Sequence, residues 1–198
     1  MQGPSPDALG RRGTRALIAR AGHEDAATRQ EALHRLGLVA PRRRATRDLV
    51  TLTLLHHLAD PDEDPDVRGE AAEQLGWDPC TGALRRSVVA NLLAGLDDPA
   101  PEVRFWCAYA LATRQVRRAL PRLRELAGDT ALPADLWTVG EEATWAIMTL
   151  ITGSWPAPFE AEYARPLELP PLARHELSAR RGRAPGPRTG SSGAAAGR

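Results

Sequence analysis

The chain has 198 residues, 42% apolar and 26% charged, enough for one domain with its own core and ordinary for a globular protein. Its formal net charge is +1, but from Arg165 onward seven arginines stand against two acids, which leaves about −4 on the rest; an acidic body with a basic tail argues against phosphate binding by the body. Cys80 and Cys107 form neither a CxxC motif nor a disulfide framework, and no apolar run approaches the ~20 residues of a membrane span.

The N-terminal stretch lacks the apolar run of a signal peptide, so the expected location is cytoplasmic. All 26 basic residues are arginine, which reads as the codon bias of a GC-rich, bacterial genome. Sparse β-branched residues beside abundant Ala and Leu favour helix.

Taken in chain order, leucines recurring three or four apart predict first helices over 8–21, 46–59, 83–96 and 117–127. A ten-residue pattern follows each of them: TRQEALHRLG from Thr28, VRGEAAEQLG from Val67, VRFWCAYALA from Val103 and VGEEATWAIM from Val139. The starts lie 39, 36 and 36 residues apart, a period typical of helical solenoids. Asp60-Pro61 and Asp98-Pro99 stop first helices, and Pro65 and Pro101 open second ones. Gly37 and Gly76 are expected as helix C-caps.

Positions one, five and nine of the pattern are Val67, Ala71 and Leu75, then Val103, Cys107 and Leu111, then Val139, Ala143 and Ile147. Spaced by four, they predict one buried stripe whose small central residue allows close helix approach. Cys107 is then a buried filler, and Cys80 a loop thiol. Position two holds Arg29, Arg68 and Arg104, then Gly140; these arginines are expected to bond inter-repeat turns carrying Asp64, Asp66 or Asp98. His56 and His57 end a helix and are read as structural or solvated.

The third, fourth and seventh positions point away from the stripe. They present Glu31, Glu70, Glu73 and His34 in the first two repeats, and Phe105, Trp106, Tyr109, Trp145 and Glu142 in the last two. An aromatic patch rimmed by acids reads as a binding surface. The alternative is that the Pro-rich segment 153–171 covers it.

The units DPDEDPDVRGEAAEQLG (60–76) and DDPAPEVRFWCAYALA (97–112) resemble HEAT repeats, most closely the short HEAT-like repeats of phycobilisome lyases. The resemblance covers residues 8–151 and implies a scaffold, a chaperone-like binder, a lyase subunit or, less often, an enzyme. In the similar deoxyhypusine hydroxylase a His-Glu pair at positions three and four binds iron; here position three is Gln30, Gly69, Phe105 and Glu141, with no histidine. HEAT-like DNA glycosylases use an aromatic, basic face plus a carboxylate, for which Trp137 and Glu141 are the nearest candidates.

The resulting expectation is an all-α, right-handed, armadillo-like α-solenoid of about four helical hairpins over 1–151. A Pro-rich irregular cap follows over 152–179 and a disordered basic tail over 180–198. The expected function is non-catalytic: a scaffold or adaptor gripping a peptide or partner helix on the concave face, with the acids favouring a basic segment. The alternative is an enzyme or enzyme subunit of lyase or nucleic-acid-repair type. No metal, cofactor or membrane is expected, nucleic acid is disfavoured, and the oligomeric state is open.

Overall fold

Apolar periodicity and helix-start signals coincide along the chain. The computed structural model describes residues 11–39, 43–133 and 137–153, and among them there are eight α-helices and no strand. They are α1 (Arg11–Ala21), α2 (Ala26–Gly37), α3 (Arg44–Ala59), α4 (Pro65–Trp77), α5 (Gly82–Ala94), α6 (Pro101–Thr113), α7 (Leu120–Leu126) and α8 (Val139–Thr152). Single 3₁₀ turns at 95–97 and 117–119 join α5 to the next link and lead into α7. The expected cap and tail, 152–179 and 180–198, lie outside the described residues except for Thr152 and Gly153.

Helix starts follow local chemistry. Asp25 accepts the Thr28 N–H at 2.8 Å and Asp64 accepts the Asp66 N–H at 2.9 Å, while Pro65 and Pro101 begin α4 and α6. Thr138 and Glu141 close a reciprocal capping box on α8, whose other end is capped by Gly153 at φ 82°.

The helices stack in pairs. Each first helix lies on its second (α1 on α2, α3 on α4, α5 on α6, α7 on α8), and α2, α4, α6 and α8 sit side by side in that order. This is an α-solenoid, and α4 and α6 are covered on both flanks and from one side.

The predicted stripe is the core: Val67, Ala71, Leu75, Val103, Cys107, Leu111, Val139, Ala143 and Ile147 are all buried. Each large apolar side chain so enclosed contributes roughly 1.5–3 kcal/mol. The Cys107 thiol packs against Gly95, and burial pushes its pKa far up.

Gly37 and Gly76 are not C-caps. Gly37 is the last residue of α2 and Gly76 lies inside α4. A Cβ on Gly37 would run into the Gln74 side chain, and one on Gly76 would lie 3.1 Å from the Ala110 Cα. These glycines let successive second helices approach closely, a packing role that sequence position alone does not separate from capping.

Arginines at position two link consecutive repeats. Arg29 pairs with Glu63 at 2.6 Å, Arg68 with Asp98, and Arg104 with Asp129 at 2.9 Å. Arg29 Nη1 also donates to the His23 and Glu24 carbonyls, and Arg104 Nη1 to those of Asp98 and Pro99. The Arg29 and Arg104 guanidinium groups thus fasten the turn before their own helix to the turn before the next, while Arg68 reaches the next turn through Asp98. Of the three aspartates expected as partners, only Asp98 serves; Glu63 and Asp129 take the other places, and Asp64 caps α4 instead. Glu63 also meets His57 Nδ1 at 2.8 Å. Burial alone would raise the Glu63 pKa, but the bonds from Arg29 and His57 outweigh it and hold it at about 2.

Repeat four has Gly140 where the arginine would be. A Cβ there would sit 2.7 Å from the Ala127 carbonyl oxygen and 2.8 Å from that of Asp129. The backbone makes the link instead, with the Gly140 N–H donating to the Asp129 carbonyl at 2.8 Å. After α6, Arg114 donates to the Leu75 and Asp78 carbonyls and to Cys80 Sγ, sewing that end of α6 to the loop behind α4.

Candidate functional site

Glu70, Glu73 and Trp77 are spaced by three and four on α4, so they share one side of that helix. Trp106 and Tyr109, three apart, do the same on the adjacent α6. Together they form a face that no first helix covers.

A run of rings crosses this face. The Trp77 ring lies 6.3 Å from Tyr109, Tyr109 lies 5.6 Å from Trp106, and Trp106 lies 5.1 Å from Phe105. Phe105 in turn lies 5.4 Å from Trp137. The Tyr109–Trp106 contact is edge-to-face at 84°, a favoured arrangement of two ring quadrupoles. Trp106 reaches this position because Gly69 on α4 has no side chain: a Cβ there would stand 2.8 Å from the indole. Trp77 is 59% exposed, whereas Trp106 and Tyr109 are half-buried.

Two residues expected on the surface are interior. Phe105 is 1% exposed, the floor of the ring run rather than part of its face. Its helix has neighbours on both flanks, so the third position turns into the α8 side instead of toward solvent. Glu142 is fully buried. The segment before α8 folds Trp137 over it, and the indole N–H donates to Glu142 Oε2 at 3.0 Å. Its other oxygen, Oε1, has no partner among the described residues. Burial pushes the carboxyl up to about 8 against the opposing effect of the Trp137 bond, so it is protonated at neutral pH.

The remaining acids grade from solvent inward along the stack. Glu31 is exposed and pairs with Arg35. Glu70 is largely enclosed, accepting from Gln74 Nε2 at 2.7 Å and meeting His34 Nδ1 at 3.1 Å. Glu73 is half-buried; burial first, then the charge of Glu70, push it up to about 7, with His34 pulling the other way. Burial and the charge of Glu73 also raise the Tyr109 hydroxyl, against hydrogen bonds with Thr113 and Trp77. Trp145 is half-buried on α8.

Trp77 was missed because it falls just past the ten-residue pattern. Its four-residue offset from Glu73 carries the signal that extends the face. The Trp137 and Glu141 pairing does not form a site. Glu141 Oε2 accepts the Thr138 N–H and hydroxyl, each at 2.8 Å, so the carboxylate is committed to the helix cap, and Trp137 turns to Glu142.

Among the described residues no helix is long and apolar enough to cross a membrane, and no group of three or more His, Cys, Asp or Glu could hold a metal ion. The family model for HEAT repeats matches residues 51–147. That span contains α4, α5, α6 and α7, and with them the whole Trp77–Tyr109–Trp106 face. No curated protein matches the chain significantly.

Proposed function

We propose that this chain, which carries HEAT repeats over residues 51–147, is a non-catalytic adaptor that binds a partner protein. HEAT repeats commonly serve as protein-interaction scaffolds. The observation that carries the reading is the ring run Trp77–Tyr109–Trp106 on a helix face that no first helix covers among the described residues, bordered by Glu70 and Glu73. Tryptophan and tyrosine at the centre of a face, with charge around them, are what protein hot spots are made of. The width of two adjacent second helices suits an extended peptide or one partner helix. Glu70 and Glu73 favour a basic segment, with the Glu31–Arg35 ion pair forming a polar border toward the first repeat and Trp145 extending the aromatic side toward α8.

Glu142 supports a second reading, a small-molecule or catalytic site of the enzyme type, because it is a protonated carboxyl beside an indole. Its complete enclosure weighs against that, since a reacting group must reach its substrate.

Affinity capture with the full chain tests the proposal. Trp77→Ala with Tyr109→Ala removes the exposed Trp77 ring and the half-buried Tyr109 ring and leaves the buried Phe105 floor. The expected result is a nuclease-resistant partner held by the wild type and lost from the double variant, with helicity unchanged by circular dichroism. A partner set indifferent to the double substitution contradicts it.

A further inference from the structure

Half-buried acids at the repeat junctions are matched by the chain's own arginines. Glu63 holds Arg29, Asp98 holds Arg68, Asp129 holds Arg104, and Asp78 lies beside Arg114. Glu73, on the ring-bearing side of α4 and not at a junction, has no such match. It is half-buried, Glu70 repels its charge, and among the described residues it has no arginine partner and no hydrogen bond; His34 is the one cation that acts on it. Desolvating a carboxylate without a counter-ion is unfavourable in the free protein. The same arrangement is favourable once a cation arrives, because part of the desolvation has already occurred.

The rings decide which cation. Tyr109 stands close enough to Glu73 for the carboxylate to raise the phenol's pKa, and Trp77 and Trp106 flank Tyr109 at 6.3 and 5.6 Å. A planar, weakly hydrated guanidinium can stack on an indole or phenol while its N–H edge meets a carboxylate; a strongly hydrated ammonium does this less well.

We infer that the ground between Glu73 on α4 and the rings of Tyr109 and Trp77 receives the guanidinium of an arginine side chain from the partner. The inference rests on the adaptor reading and specifies the residue that reading requires at its centre.

A proton linkage follows. Glu73 is half-protonated near neutral pH, and arginine binds its ionised form. The apparent affinity therefore rises with pH, by about ten-fold between pH 6 and pH 8 for a group titrating near 7. The titratable groups around it are Glu70 on its own helix, His34 from α2 and Tyr109 from α6, with Glu142 of α8 acting on Tyr109.

The test uses the full chain labelled at its indole nitrogens, with Trp77 and Trp106 assigned by single Trp→Phe substitutions. N-acetyl-arginine methylamide is titrated in parallel with the citrulline equivalent, its uncharged isostere. The expected result is a saturable shift of the Trp77 indole with arginine, at least ten-fold weaker for citrulline. In Glu73→Gln the arginine response falls by about ten-fold and loses its rise between pH 6 and 8, with the thermal midpoint retained or raised. Citrulline acting as well as arginine, an undiminished response in Glu73→Gln, or no indole shift overturns the inference. The probe is a small molecule, so this outcome is separate from that of the capture experiment. A partner lost from the Trp77→Ala, Tyr109→Ala variant while arginine moves no indole keeps the adaptor and removes the guanidinium.

Discussion

Glu142→Gln is expected to stabilise the protein, by an amount that grows with pH. The glutamate is fully buried and titrates near 8 in the fold, against 4.5 for the ordinary side chain. Between those values the folded chain holds a proton that the unfolded chain has released, so stability falls as pH rises from 4.5 toward 8. Integrated to pH 5 this costs about 1 kcal/mol, and to pH 7 about 3 kcal/mol. Glutamine avoids the cost because it has no proton to lose. Its carbonyl can still accept the Trp137 indole N–H, and its amide nitrogen replaces a protonated oxygen that already has no partner. The two proteins should therefore be within about 1 kcal/mol at pH 5 and separate by about 2 kcal/mol more at pH 7. Urea unfolding followed by circular dichroism at pH 5, 6, 7 and 8 reads this directly. Parallel stability curves for the two proteins would refute a raised Glu142 pKa.

Three further expectations concern the repeat junctions. Gly140→Ala places a Cβ against two backbone oxygens at 2.7 and 2.8 Å and should cost about 2 kcal/mol or more, while Gly128→Ala, with nothing within 4 Å, should be near neutral in the same thermal melts. Arg68→Ala leaves Asp98 enclosed without its cation and should cost about 3 kcal/mol; Arg122→Ala, whose partners Asp97 and Glu125 are exposed, should cost under about 1 kcal/mol by denaturant titration. Glu63 is held at about 2, so its contribution is complete above 4.5 and lost as pH falls toward 2; Glu63→Gln should flatten acid unfolding in that window, and an unchanged acid limb would show that the Arg29–Glu63–His57 cluster carries no stability.

Much of the fold was legible because its signals are local. Leucines three and four apart, prolines at 65 and 101, and a small residue between two larger ones in each stripe set helix, start and packing face within single elements. Arg29, Arg68 and Arg104 could be recognised as turn-binding, but their partners lie 34, 30 and 25 residues on, beyond what a ten-residue pattern contains. Phe105 and Glu142 failed for a different reason. Their positions follow correctly from the helical period, yet burial depends on neighbours: α8 flanks one and Trp137 folds over the other. Gly37 and Gly76 look like caps in sequence and act as contact points because the next helix passes so close. Trp77 belongs to the face by helical phase and was overlooked because it follows the pattern's end.

Contact at the Trp77 position tests the central claim most directly. A photo-crosslinking residue can replace Trp77 on the α4–α6 face, or Leu52, exposed on α3 of the other helical row. Each full-length chain would be irradiated in the source organism and treated with nuclease. The account predicts a discrete protein adduct from position 77, absent from position 52 and lost when Tyr109→Ala is added. Equal adducts from both positions, or none from position 77, would contradict it.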